Sequence, residues 1–259
     1  MRVKLPRTKT SNTNSELIIL AARPSMGKTA LAMNIAEHIS INSHQPVLFV
    51  SLEMASLELA DRLLCSAAQV NGHRLRNGTI SQEDRRRLVQ KSSEISSAPL
   101  YIDDTPGRTL TEIAAVARRL KRKQGLSIIV IDYLQLIEPD NPRDPRQEQV
   151  ARIARRLKTM SRELDIPILC LAQLNRQAEA ARDNRPRLNH LRESGAIEQD
   201  ADLIAFIYRE EVYDPETDKK GIALIDIAKQ RNGAIGSFNL TFLGRYTKFE
   251  NWAPEYEDL

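Results

Sequence analysis

Apolar residues along the chain gather in short runs, and the stretches between the runs are longer, polar and helix-like. Leu17-Ile18-Ile19-Leu20 is the first run and predicts a buried strand. A helix is expected over 28–41, a second strand over 47–52 after Pro46, and two helices near 56–70 and 81–97. Leu100-Tyr101-Ile102 reads as a strand and 109–124 as a helix that Gly125 breaks. Ile128-Ile129-Val130-Ile131-Asp132 follows; its apolar residues face both ways, as in a sheet covered by helices on each side. A charged helix over 146–164 leads to a strand over 167–173. The polar stretch 175–195 then precedes a strand at Leu203-Ile204-Ala205-Phe206-Ile207-Tyr208. Two last strands, near 221–229 and 236–243, are joined through Asn232-Gly233, a strong turn signal. Strands alternating with helices predict an α/β domain with a mostly parallel sheet, and the helix-free close predicts antiparallel strands at one edge. Residues 1–15 are polar and read as a flexible lead-in; 16–259 read as one domain.

Composition adds bounds. The chain has 259 residues, 41% hydrophobic, enough to bury a core and to exclude a disordered chain. Net charge is only +4, a mild lean toward anionic partners. Cys65 and Cys170 belong to no C-x-x-C and to no zinc spacing, so they read as reduced, buried thiols. No apolar run approaches the roughly 18 residues of a membrane span, and the basic start lacks the apolar core of a signal peptide. A soluble, cytoplasmic protein is expected.

The chemistry starts after the first strand. Residues 22–29 read Ala-Arg-Pro-Ser-Met-Gly-Lys-Thr, a G-x-x-x-x-G-K-[ST] phosphate loop with Ala22 in place of the first glycine. A buried strand leads in and a helix leads out, so backbone N–H groups of Arg23, Ser25, Met26, Gly27, Lys28, Thr29 and Ala30 are expected to surround a nucleotide's phosphates. Lys28 is expected to reach the β- and γ-phosphates, and the Thr29 hydroxyl to ligate Mg²⁺. Asp132, closing its strand, is the expected Walker B aspartate at the same metal. Glu53, just past the second strand, is the expected general base if that strand neighbours the phosphate-loop strand. Gln173 ends the strand after Walker B, where a polar amide faces the nucleotide crevice and can sense the γ-phosphate.

Six ordered segments carry a resemblance. LIILAARPSMGKTALAMNIA, VSLEM, IIVIDYLQLI, LAQLNR, LRESGAIEQDAD and AKQRNG resemble, in order and spacing, the RecA-like motor domain of the replicative DnaB-type DNA helicases of superfamily 4. The likeness covers roughly residues 16–252. It implies an ATP-dependent helicase, with subunits in a ring, a hexamer by the family pattern, moving 5′ to 3′ on single-stranded DNA in replication. By resemblance Lys28 and Thr29 take the ATP and Mg²⁺ positions, Glu53 is the catalytic glutamate, Asp132 the Walker B aspartate and Gln173 the sensor. Lys229 and Arg231 match a lysine and an arginine finger that act on a neighbour's ATP. Arg192, Glu193 and Gly195 match the loop that touches successive phosphates of DNA in the central channel. A helicase loader is the further partner implied.

The basic stretch 175–195 has no Phe, Tyr or Trp, so phosphate contact rather than base stacking is its expected mode. Pro142-Arg143-Asp144-Pro145-Arg146 is a second basic loop facing either the channel or solvent. Arg85-Arg86-Arg87 and the cluster at 118–123 read as solvated helix faces. The family's N-terminal helical domain and linker helix find no match in residues 1–15, which bears on ring stability and primase binding more than on ATP chemistry. A filament-forming recombination ATPase and a non-hydrolysing nucleotide-binding module are the rival readings. Ring against filament symmetry separates the first, and turnover the second.

Overall fold

The computed structural model describes residues 15–175, 184–191 and 195–253. Among the described residues, nine strands form one sheet: β1 (Leu17–Ala22), β2 (Val47–Ser51), β3 (Leu100–Asp103), β4 (Ile128–Asp132), β5 (Ile168–Gln173), β6 (Leu203–Tyr208), β7 (Ile222–Gln230), β8 (Gly236–Leu243) and β9 (Lys248–Asn251). Their order is β3-β2-β4-β5-β1-β6-β7-β8-β9. The first six strands of that order run parallel, and β7 to β9 add antiparallel pairs at one edge. The expected mostly parallel sheet with antiparallel strands at its C-terminal end is therefore present.

The helices are α1 (Lys28–Glu37), α2 (Ser56–Ala68), α3 (Gly72–Arg76), α4 (Gln82–Ser97), α5 (Leu110–Gln124), α6 (Arg146–Leu164) and α7 (Gly195–Asp200). Each sheet face builds its own core. Ile129 and Ile131 of β4 pack with α5, α6 and Ile197 of α7. Ile128 and Val130 pack on the other face with α1, α2 and Phe249 of β9. That division is why β4 reads as an unbroken apolar run. Helix α6 buries Val150, Ile153, Ala154, Leu157, Met160 and Leu164, the stripe that three- and four-residue spacing produces. Helices α4 and α5 open on capping boxes, Ser81 with Asp84 and Thr109 with Glu112.

The structure adds elements that the apolar pattern does not predict. β9 is four residues long with one buried apolar residue, Phe249, too little for a periodicity signal. Helix α7, at the edge of a segment that reads as polar loop, buries only Ile197. Helix α1 passes at His38 into a π-helical turn through Asn42. Ser15, at the end of the polar lead-in, is anchored: its carbonyl accepts from Lys158 Nζ at 2.8 Å and from Ser161 Oγ at 3.0 Å. The rest of the lead-in, residues 1–14, lies outside the described residues.

Asp202, immediately before β6, gathers several elements at the start of the sheet. Its Oδ2 accepts from the Leu17 backbone N–H (2.7 Å) and from Lys158 Nζ (2.6 Å), and its backbone C=O accepts from Arg231 N–H (2.8 Å). The carboxylate is buried but paired with an ammonium and a backbone N–H, the condition under which burying a charge is tolerated.

Candidate active site

The C-terminal ends of the parallel strands form one edge of the sheet, and the phosphate loop sits there between β1 and α1. Gly27 caps α1 in the left-handed conformation, φ +96°. A Cβ at this position would stand 2.8 Å from Phe249 Cζ, so both the backbone angle and the space require glycine. No side chain caps α1, and its first turn holds no acidic residue. Its leading N–H groups therefore remain available to an anion, in the field of the helix dipole. The Met26 side chain is buried in the core, which leaves only its backbone for a phosphate; Ala30 is likewise buried. Ser25 has φ +67°, and its carbonyl accepts from Arg209 Nη1 at 3.2 Å.

Lys28 Nζ lies 3.3 Å from Asp132 Oδ1 and 4.1 Å from the centroid of the Tyr133 ring. Thr29 Oγ1 donates to Asp132 Oδ2 at 2.6 Å. Asp132 is wholly buried, and its Oδ1 has the ammonium nearby but no hydrogen bond. A hydroxyl, a buried carboxylate and one oxygen with coordination to spare suit Mg²⁺, which keeps most of its shell for phosphate and water. Among the described residues no cluster of three or more His, Cys, Asp or Glu forms an all-protein metal cage.

Glu53 reaches this edge by a route other than the one expected. β2 does not neighbour β1; β4 and β5 lie between them. The strand order departs from the sequence order because β4 inserts beside β2, pairing Ser51 with Asp132. Glu53 nonetheless stands beside the end of β4, since Leu52 N–H donates to Asp132 O at 2.7 Å. Ser51 Oγ bonds the Met54 carbonyl at 2.6 Å and closes the turn that presents Glu53, which is exposed. Burial, and then the charges of Glu53 and Asp132, hold the Tyr133 phenol above its ordinary range. The site is thus acidic around one lysine.

Gln173 ends β5 level with Ala22, the first residue of the loop, and is exposed. Arg23 is buried, and its Nη1 donates to Leu174 O at 2.7 Å, so the phosphate loop is tied to the segment leaving β5. A cleft of about 410 Å³ lies there, lined among others by Arg23, Tyr133, Gln135, Gln173, Asn175 and His190. Sequence reasoning misses Arg209. It grips Ser25, pairs with Glu211 at 2.5 Å and lies 3.9 Å over the Phe242 ring. Only its place one residue past β6, the strand beside β1, hints at this role.

Lys229 and Arg231 are brought together, but at the opposite edge. Gln230 pairs with Leu203 at the start of β6, and Leu203 with Ile18 at the start of β1. The six residues of β1 then separate the pair from the phosphate loop by roughly 20 Å, at about 3.3 Å per residue. The two do not share one strand: β7 ends at Gln230, and Arg231 lies just beyond it. They converge instead on the C-terminal end of α7. Lys229 Nζ donates to the carbonyls of Glu198 and Ala201, and Arg231 Nη2 to that of Gln199, a place where cations suit the helix dipole. Arg231 Nε also lies 3.7 Å from Asp202 Oδ1. Burial, then the Arg231 charge, lowers the Lys229 pKa.

Gly195 opens α7; Arg192 and Glu193 lie outside the described residues. In the second basic loop Arg146 Nη2 is committed to Gln135 O at 2.5 Å. The other basic runs are helix faces, as expected: Arg87 pairs with Asp84 and Arg118 with Glu163. Both cysteines are buried and free, and burial raises both thiols. No helix among the described residues is long and apolar enough to cross a membrane.

This arrangement matches known proteins along nearly its whole length. The DnaB-like helicase C-terminal domain family matches residues 4–251. The replicative DNA helicase DnaC of Bacillus subtilis is 45% identical over 98% of the chain, and DnaB of Buchnera aphidicola subsp. Baizongia pistaciae 48% over 94%. The chain spans 56% and 53% of those relatives' lengths. One solved ATPase domain superimposes with a TM-score of 0.90 at 40% identity, over 93% of this chain and 86% of that one. A DnaB-like replicative helicase solved for its interactions with primase gives the same score and identity, with 58% of that chain covered. The chain therefore belongs to the DnaB-like helicase C-terminal domain family.

Proposed function

We propose that the chain is the motor of a ring-forming replicative DNA helicase, hydrolysing ATP between neighbouring subunits to move 5′ to 3′ along single-stranded DNA. The observation that carries this is the separation of the two halves of the site. Lys28, Thr29, Asp132 and Glu53 stand at one sheet edge and Lys229 with Arg231 at the other. In this reading a neighbour supplies the second half, and the repeated contact closes into a ring, a hexamer, where a rotation that did not close would give an open filament.

In this reading the α1 N-terminus and the backbone of 25–30 hold the phosphates, and Lys28 turns from Asp132 toward them. Thr29 and Asp132 would hold Mg²⁺, Asp132 directly or through water, and the bound metal would supply neutralisation of the phosphate charge. Glu53 takes the proton of the attacking water. Gln173 registers the γ-phosphate, and the neighbour's copies of Lys229 and Arg231 stabilise the charge that develops in transfer. The loop at 192–195, with Arg192, Glu193 and Gly195, follows DNA phosphates. Helix α7 joins that loop directly to the carbonyls that Lys229 and Arg231 grip, which gives DNA a short mechanical route to the finger pair. A helicase loader is the implied protein partner; the reading extends to no primase contact.

ATPase activity measured against protein concentration, with and without single-stranded DNA, tests the proposal. Turnover per subunit should rise steeply with concentration and rise further with DNA. That second rise should weaken with salt, because phosphate contacts release counterions. Turnover per subunit that is flat across concentration would contradict a shared site, and open filaments by electron microscopy would replace the ring.

A further inference from the structure

β5 outruns β4. The two pair only from Ile129 with Ile168 to Ile131 with Cys170, whereas β5 stays paired with β1 as far as Ala22 with Gln173. Within a strand, successive residues direct their N–H and C=O to alternate neighbours. Leu174 N–H goes to Ala22 O at 3.1 Å, so the N–H and C=O of Gln173 point to the β4 side, beyond the last β4 pair. Backbone groups at a sheet edge need partners. One side chain supplies both: Gln135 Nε2 donates to Gln173 O at 3.0 Å, and Gln135 Oε1 accepts from Gln173 N–H at 3.2 Å. The primary amide stands in for the missing peptide group of β4.

Gln135 is held in place from two sides. Its own carbonyl accepts from Arg146 Nη2 at 2.5 Å, and it lies in the 3-10 turn Leu134–Leu136, whose Leu134 is wholly buried. That turn begins two residues after Asp132. We propose that Gln135 is a positioning residue, fixing the end of β5 to the Walker B turn so that Asp132 and the sensor Gln173 move as one unit when the γ-phosphate is bound or lost. The inference rests on the reading of Gln173 as that sensor. Glutamine is the side chain the geometry asks for: asparagine is one methylene short, and glutamate keeps the acceptor but sets an anion against the Gln173 carbonyl.

The test measures kcat and KM for ATP, with and without single-stranded DNA, in the unsubstituted chain and in Q135M, Q135E, Q173A and Q135M/Q173A, with thermal unfolding alongside. Q135M should lower DNA-stimulated kcat about tenfold, a barrier change of about 1.4 kcal/mol. KM should stay within about twofold, and adding Q135M to Q173A should cost little more than Q173A alone. Q135E keeps the shape of glutamine, so it should repeat the kcat loss even if Q135M proves unstable. A Q135M that unfolds early but turns over normally would reduce Gln135 to a structural role. Normal DNA-stimulated kcat in both Gln135 variants, with Q173A impaired, would overturn the inference and leave the sensor reading standing. Normal turnover in Q173A removes the sensor reading and the inference with it, and no turnover in the unsubstituted chain removes the proposed function as well.

Discussion

Arg231→Ala is expected to reduce ATP hydrolysis by about three to five orders of magnitude, the range typical of an arginine finger, while ATP binding changes little. Both halves of that expectation come from one distance. Arg231 lies level with the start of β1, whereas Lys28 follows its end, so truncating Arg231 removes nothing from its own subunit's phosphate loop. Stability should change little too. The Arg231 side chain is 43% exposed, its contact with Asp202 is long at 3.7 Å, and Lys158 and the Leu17 N–H still satisfy that carboxylate. With Arg231 half-exposed and the contact this long, the pair contributes no more than about 1 kcal/mol, even though Asp202 itself is buried. Nucleotide binding by fluorescence titration and steady-state turnover, measured on the same preparation, separate the two effects. Normal hydrolysis by Arg231→Ala would remove the finger assignment.

Asp132→Asn is expected to be as severe through a different mechanism. Asparagine keeps the shape and can still accept from Thr29 Oγ1, but it loses the charge that faces Lys28 at 3.3 Å and the anionic oxygen that suits Mg²⁺. Hydrolysis should fall by about 10³-fold or more, as for other changes to charge stabilisation at a phosphoryl-transfer metal. Affinity for ATP without Mg²⁺ should hold or rise, since a negative charge beside the phosphates is gone. The gain in affinity that Mg²⁺ gives the unsubstituted chain should largely disappear. Calorimetric titration with and without Mg²⁺ reads both. A variant that retained the full Mg²⁺ effect would place the metal elsewhere.

The separate parts of this site are legible in the sequence, but their arrangement is not. Strand β4 is apolar on both faces because Ile129 and Ile131 serve one core and Ile128 and Val130 the other, and such a run is visible without a structure. Lys28, Thr29 and Asp132 announce themselves by ending or following strands. Strand order is hidden, because it depends on which crossovers pack best rather than on any local pattern. Sequence order alone therefore puts Glu53 beside β1, and it stands instead beside β4. Arg209, Gln135 and Phe249 are invisible for a related reason. Arg209 meets Ser25 across 184 positions, Gln135 meets Gln173 across 38, and Phe249 abuts Gly27 from a strand with one buried residue. Each works through a backbone group or a ring contact, which leaves no motif. The finger pair is identified in the sequence only through resemblance. In the proposed reading, the register of β1, β6 and β7, which sets the pair far from its own phosphate loop, is the reason it would act on a neighbour.

Mixing two inactive proteins tests that claim most directly. Lys28→Ala lacks a working phosphate loop and Arg231→Ala lacks the finger, so neither alone should hydrolyse ATP. In a mixed ring, some interfaces join the intact loop of an Arg231→Ala subunit to the intact finger of a Lys28→Ala subunit. ATPase activity should therefore reappear on mixing, peak near equal amounts and rise with single-stranded DNA. If the mixture stays as inactive as its components while light scattering shows that mixed rings form, the site is not shared between subunits and the account fails.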